Sequence, residues 1–271
     1  RWTYGTAGGK LALHAFVKRA WFSRWYGWRM DRAASRSKIL PFIRDYGLDV
    51  SEFVRKPDAF ANFNEFFYRR LKPEVRPIDP DPSAVVFPAD GRHLVLPDIA
   101  MAQSFYAKDQ SLDLDALVPD PELATLFRGG SMSISRLCPV DYHRFHFPVS
   151  GRVRNTGLVD GPLFSVNPIA LRHSLNYLVQ NKRAWTLIES PYHGRVLMME
   201  IGATCVGSIV QTCDASKSAP KGGEKGYFAF GGSCVVTLFE PGKIRFDPDL
   251  VEQSSRCIET YARMGEHLGS V

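Results

Sequence analysis

The apolar residues follow two different periods, one on each side of a proline-rich stretch. Before it they recur at helical spacing, which predicts helices over 8–30, 34–47 and 57–71. In the last of these Phe60, Phe63, Phe67 and Leu71 share one face. Four prolines then fall between 73 and 82, a stiff and donor-poor connector that marks a boundary between an N-terminal arm, 1–72, and a body, 83–271. Beyond it the texture is short β-branched or alternating runs at 92–96, 131–137, 152–159, 183–189, 195–201, 205–211, 233–239 and 243–246, most bounded by Gly, Pro, Asn or Asp. Only 121–128 reads there as a helix. Alternating βα units are absent, so the pattern predicts an α+β protein: a helical arm followed by a mainly antiparallel β-sandwich or distorted barrel.

Charge divides at the same boundary. Residues 1–44 hold ten Lys/Arg and one acid, Asp31, a local charge of +9, whereas the whole chain carries +6 and the remainder therefore −3. Trp2, Trp21, Trp25 and Trp28 interleave with Lys18, Arg19, Arg24 and Arg29. Rings beside cations suit a headgroup layer, where each Lys or Arg near an anionic leaflet contributes about 1 kcal/mol. A helix packed on its own domain is the competing reading; nucleic acid is a weaker third, since no recognised binding motif accompanies the patch. Over 271 residues, 45% hydrophobic and 23% charged content excludes disordered, collagen-like and coiled-coil classes. Five cysteines without a C-x-x-C pair indicate neither a disulfide framework nor a zinc ribbon.

Three segments can carry chemistry. In PADGR, 88–92, Asp90 sits in a tight turn before a strand; alone, this is an ordinary Asp-Gly turn. In DYHRFHFP, 141–148, His143 and His146 stand three apart, a spacing that sends the rings to opposite faces of a regular strand unless a turn intervenes. Two structural histidines are the alternative, and no third ligand at metal-site spacing is nearby. In KGYFAFGGSCVVTLFEPGKI, 225–244, two glycines precede Ser233 and an apolar strand follows, so the Gly232-Ser233 bond lies at the entry to a buried strand. Glycine lets a hydroxyl approach the preceding carbonyl, which suits self-cleavage; a loop that simply needed glycine is the alternative.

Taken together and in order, FPADGR, DYHRFHFP, LFSVNP (163–168), GATCVGSI (202–209), EKGYFAFGGS and VVTLFEPGKI resemble phosphatidylserine decarboxylases. The resemblance runs nearly end to end and takes in FNEFFYRRLKPEVRPID (63–79) and ETYARMGEHLG (259–269). The departures are Phe87, where the family often has a small polar residue, and Cys234, where it has Thr or Ser.

The resemblance implies a chain that cuts itself between Gly232 and Ser233 into a β chain, 1–232, and an α chain, 233–271, with Asp90 and His146 activating Ser233. Ser233 then becomes a pyruvoyl group, the only cofactor implied, with no metal and no pyridoxal phosphate. That group forms a Schiff base with phosphatidylserine and releases CO₂ to give phosphatidylethanolamine. His143 resembles the residue that serves decarboxylation, and an imidazole titrating near neutrality would donate the proton. Ser165 and Asn167 are candidate substrate contacts, against a local turn role. Lys18, Arg19, Trp21, Trp25 and Trp28 are candidate membrane contacts. The same resemblance implies a homodimer of cleaved protomers bound peripherally to an anionic membrane, on the cytoplasmic face in a bacterium, without nucleic acid. Competing functions are a pyruvoyl decarboxylase of a soluble amino acid, a Ser/His/Asp hydrolase and a non-catalytic membrane-binding module.

Overall fold

The structure, a computed structural model, describes residues 20–101, 112–167, 176–203, 209–214, 218–229, 231 and 233–271. Within the arm, helix α1 spans Ala20–Asp31, a 3-10 turn spans Ala33–Lys38, α2 spans Ile39–Tyr46 and α3 spans Phe63–Phe67. Two of these differ from the sequence expectation. The run 34–47 breaks at Ile39 because Pro41 has no N–H and is tolerated only in a helix's first turn. The run 57–71 contracts to five residues: the Asn62 side chain accepts from the Glu65 N–H at 2.8 Å and opens α3, and the chain then extends so that Leu71 bridges Phe53. Residues 8–19 of the expected first helix lie outside the described residues.

In the body the strands are β1 (Ala84–Val86), β2 (Gly91–Leu96), β3 (Ser131–Leu137), β4 (Arg144–His146), β5 (Gly151–Val159), β6 (Arg183–Ser190) and β7 (Gly194–Gly202). They continue as β8 (Ile209–Gln211), β9 (Ser218–Ala219), β10 (Glu224–Phe228), β11 (Ser233–Phe239), β12 (Arg245–Phe246), β13 (Thr260–Ala262) and β14 (His267–Ser270). The body's helices are α4 (Leu114–Leu117), α5 (Pro121–Leu126), α6 (Asn176–Gln180) and α7 (Pro248–Ser255). Eight strands form one antiparallel sheet in the order β13-β2-β3-β11-β7-β6-β5-β9, and two three-stranded sheets, β1-β14-β12 and β4-β10-β8, accompany it. The fold class is thus α+β with antiparallel sheets, layered rather than closed into a barrel.

The layers explain the sequence of β11. One face of the large sheet presents Ile134, Leu197, Met199, Ile201, Cys234, Val236 and Leu238 to Leu114, Leu117, Ala124, Phe127 and Leu178 from the helical layer. The opposite face presents Val95, Leu137, Val196, Met198, Val235 and Phe239 to Val85, Phe145, Phe228, Phe246 and Leu268 of the two small sheets. A strand covered on both faces reads as a continuous apolar run, and every residue of SCVVTLF is buried. A fully buried ion pair ties the layers: Lys225 Nζ on β10 donates to Glu200 Oε2 on β7 at 2.7 Å and to Gln211 Oε1 on β8 at 3.0 Å.

The arm packs around Phe66, whose ring meets those of Phe42, Phe53 and Phe60 edge-on at centroid distances of 5.9, 6.1 and 5.8 Å and that of Phe63 at 5.6 Å. This cluster also buries Tyr142 and Met264 from the body. Arm and body therefore share contacts that unfold together. Phe66→Ala is expected to cost about 3–5 kcal/mol in denaturant unfolding followed by circular dichroism, still in one cooperative transition; a separate early transition for the arm would contradict the shared core.

Candidate active site

Asp90 stands in the turn between β1 and β2, and the turn is forced against β3: a Cβ on Gly91 would meet the Arg136 carbonyl oxygen at 2.6 Å. Far from a solvated hairpin turn, Asp90 is 2% exposed. Its carboxylate accepts from Arg76 Nε at 2.9 and 3.0 Å, from Arg76 Nη2 at 2.6 Å and from the Met264 N–H at 2.9 Å. Arg76 comes from the proline-rich connector, where its motif PEVRP signals only a turn; nothing in the local pattern marks it as a site residue.

No turn separates His143 from His146 in DYHRFHFP: the turn falls at 139–140, ahead of both, and Arg144–His146 form β4. His143 precedes β4, and its Nδ1 lies 2.9 Å from the Asp141 carbonyl oxygen, which can only accept, so Nδ1 carries the proton and Nε2 keeps a free lone pair. Its ring lies on Phe67, centroids 3.9 Å apart, and its carbonyl accepts from the Phe228 N–H at 2.9 Å. His146 ends β4 across the ladder from Glu224, and its N–H donates to the Pro88 carbonyl at 2.8 Å, two residues before Asp90. Burial pushes His143 down to about 3, with the Arg69 cation adding to burial and the Asp141 and Gly231 carbonyls opposing it. Burial likewise pushes His146 down to about 4 against the raising effect of Glu224 and Asp90. Both imidazoles are neutral, which departs from the expectation of a His143 titrating near neutrality; the cause is removal from water.

Ser233 opens β11, opposite Leu137 on β3 and Gly202 on β7, and is fully buried. Gly231 before it adopts φ +139, a conformation that favours glycine, and Gly232 lies outside the described residues. Among the described residues, no hydrogen-bond partner meets Ser233 Oγ, His143 Nε2 or His146 Nδ1. Each such atom costs about 1–3 kcal/mol, and the same holds for seven others among the described residues, on Arg69, Ser133, His193, Glu200, Thr237 and Thr260. No hydrogen bond joins the Asp90, His146 and Ser233 side chains among the described contacts; Asp90 is met first by Arg76. Cys234 follows the strand alternation onto the helical side, away from Ser233, and burial pushes its thiol up to about 12.

The loop residues 163–167 are fastened beside Ser233's strand neighbour. Buried Asn181, which no sequence signal picked out, donates from Nδ2 to the Phe164 carbonyl and to the carbonyl of Gly202, the strand neighbour of Ser233, at 2.8 Å each. Within the loop the Asn167 N–H donates to Ser165 Oγ at 3.2 Å, the local turn bond foreseen as the alternative to substrate contact. On the arm, Trp25 and Trp28 are 45% and 54% exposed, with Arg29 and Arg32 over their rings at 5.2 and 4.6 Å. Lys18, Arg19 and the Trp21 side chain lie outside the described residues. Among those described, no helix is long and apolar enough to cross a membrane.

A family model described as phosphatidylserine decarboxylase matches residues 63–270. The chain belongs to the phosphatidylserine decarboxylase family. Among relatives named phosphatidylserine decarboxylase proenzyme, that of Chlamydia muridarum (strain MoPn / Nigg) is 47% identical over 261 residues, 96% of this chain and 87% of the relative. That of Desulfitobacterium hafniense (strain Y51) is 42% identical over 269 residues, 99% of this chain and 90% of the relative. That of Clostridium perfringens (strain ATCC 13124) is 42% identical over 269 residues, covering 99% and 92%. The family match spans Asp90, His143, His146 and Ser233 together with Arg76 and Asn181.

The depressed imidazoles have a measurable consequence. His143, His146 and also buried His93, which burial pushes down to about 3, are neutral in the fold but titrate near 6.5 when unfolded. Below that pH the unfolded chain binds more protons, so stability is full above about 6.5 and is lost as pH falls towards 4. Each group is expected to contribute a slope of ~1.4 kcal/mol per pH unit in that window. Burial lowers His193 as well, so denaturant melts between pH 7 and 5 should show this fall, with His93→Gln removing part of it; a flat profile would contradict the assigned burial.

Proposed function

We propose that this chain is a self-cleaving phosphatidylserine decarboxylase in which Asp90, His146 and Ser233 cut the bond between Gly232 and Ser233. The observation that carries the proposal is the buried Ser233 hydroxyl, unpartnered among the described residues, at the head of a strand in a chain whose relatives are named proenzymes. A serine hydroxyl is a weak nucleophile, and neutral His146 is in the protonation state needed to take its proton. The ionised Asp90 carboxylate stabilises the imidazolium that results. Attack on the Gly232 carbonyl replaces the peptide with an ester. Removal of the Ser233 Cα proton then expels the upstream carboxylate, and the dehydroalanine left behind tautomerises and takes up water with loss of ammonia. The products are a β chain, 1–232, and an α chain, 233–271, of 39 residues (271 − 232) headed by a ketone.

The residues fit that group, since β3 and β7 flank the serine and hold its backbone in register while its side chain stays out of water. When formed, the pyruvoyl carbonyl binds the substrate amine and accepts the electrons that departing CO₂ leaves behind. His143 supplies the proton traffic. Its Nε2 lone pair accepts the proton that the substrate ammonium must shed, and the resulting imidazolium returns a proton to the carbon that has lost CO₂. One proton is taken and one given back, so a histidine that starts neutral serves as the donor. Ser165 and Asn167, held beside Gly202 by Asn181, face the headgroup in this reading.

Exposed Trp25 and Trp28 with their arginines support docking on an anionic membrane, peripherally and from the cytoplasmic side, and cleaved protomers pair as a homodimer. The test is release of CO₂ from carboxyl-labelled phosphatidylserine in anionic vesicles. Wild type is expected to be active and cut in two. Ser233→Ala, His146→Ala and Asp90→Ala stay single chains, and His143→Ala is cut yet loses on the order of 100-fold or more in rate. Trp25→Ala with Trp28→Ala is cut normally and binds vesicles about tenfold more weakly. Turnover of a soluble amino acid without turnover of the lipid would overturn the substrate assignment.

A further inference from the structure

We propose that Arg76 is the positioning residue that holds the Asp90 carboxylate for His146, an inference that rests on the self-cleavage reading of Asp90, His146 and Ser233. A carboxylate offers about four lone-pair sites. Arg76 Nε bridges both oxygens, its Nη2 takes Oδ2 at 2.6 Å and the Met264 N–H takes Oδ1 at 2.9 Å, so about one site remains for an imidazole. The carboxyl group is thereby fixed in plane and direction before any proton moves.

The guanidinium is itself fixed on every side. Its Nη1 donates to the Val75 carbonyl at 2.7 Å and its Nη2 also reaches Glu52 Oε2 at 3.3 Å, and the side chain is only 7% exposed. A planar fork can make these bonds at once, whereas an ammonium offers a point charge. The connector is shaped to present it: a 3-10 turn over Pro73–Val75 ends at Arg76, and Pro77 follows. Two cavities meet at this side chain. Asp90 lines one of about 260 Å³, His146 lines another of about 250 Å³, and Arg76 and Tyr142 line both. Arg76 thus lines the cavity of the carboxylate as well as that of the imidazole with which it must cooperate. After cleavage the Met264 N–H belongs to the α chain and Arg76 to the β chain, so Asp90 is held from both products.

The test follows self-cleavage of freshly translated full-length chain by gel and mass, with folding checked by thermal melting. Arg76→Ala is expected to slow cleavage on the order of 100-fold, the cost of a misplaced catalytic group. Added guanidinium restores the rate without moving the melting midpoint, and Arg76→Lys recovers it in part. Cleavage of folded Arg76→Ala at the wild-type rate would overturn the proposal, as would a guanidinium rescue that merely tracks a rising melting midpoint. If Arg76→Ala does not fold, Arg76→Lys carries the test: slowed cleavage in a stably folded chain supports the fork, and a wild-type rate overturns it. Asp90→Ala separates this inference from the reading beneath it. Normal cleavage there removes the self-cleavage assignment itself, whereas a dead Asp90→Ala beside a normal Arg76→Ala removes only the clamp.

Discussion

A hydroxyl and two imidazoles are held out of water, Ser233 at the head of β11 in the large sheet and His143 and His146 at the two ends of β4 in a small one, and the surrounding architecture follows from that burial. Ser233 is enclosed because β11 is central, with β3 and β7 on its edges and apolar layers on both faces. Burial keeps His143 and His146 neutral, and among the described residues no hydrogen-bond partner meets His143 Nε2, His146 Nδ1 or Ser233 Oγ. Such a site is costly to fold, and the antiparallel ladders that flank Ser233, seven residues long on each side, offset the cost. The same ladders would retain residues 233–271 after a cut before Ser233.

The arm also packs against the candidate site. Phe67 supports the His143 ring, Arg69 Nη2 reaches the Val140 carbonyl at 3.3 Å, and the Tyr68 carbonyl accepts from Arg144 Nε at 2.9 Å. Arg76 then holds Asp90. The segment from Phe67 to Arg76 therefore braces the catalytic turn along its length, while Trp25 and Trp28 lie exposed at the other end of the arm. Arm and candidate site are thus joined through one packed cluster that includes Tyr142 and Met264.

Much of this was legible in the residues. The run 233–239 announced a doubly covered strand, and 131–137 and 195–201 matched β3 and β7 almost to the residue, because continuous apolar runs between turn residues have few other folded solutions. Asp90, His143, His146 and Ser233 emerged from their motifs taken together, but the turn looked for between the two histidines is replaced by the short strand β4. What escaped depends on partners distant in sequence. β10 contains Lys225, whose charge reads as surface until Glu200 is placed against it. Arg76 reads as part of a linker until Asp90 arrives 14 residues later. Asn181 is one polar residue among several until the loop it fastens is folded over Gly202. The α7 helix was missed because the Asp247-Pro248 pair resembles a turn, whereas Pro at a first helical position starts one.

The central claim is that the bond before Ser233 breaks and leaves a ketone. Intact-mass measurement of the purified protein under denaturing conditions, with and without phenylhydrazine, reads both events. The account predicts a 39-residue fragment beginning at position 233 (271 − 232) that gains the mass of a hydrazone. A single 30.4 kDa chain that does not react would contradict it.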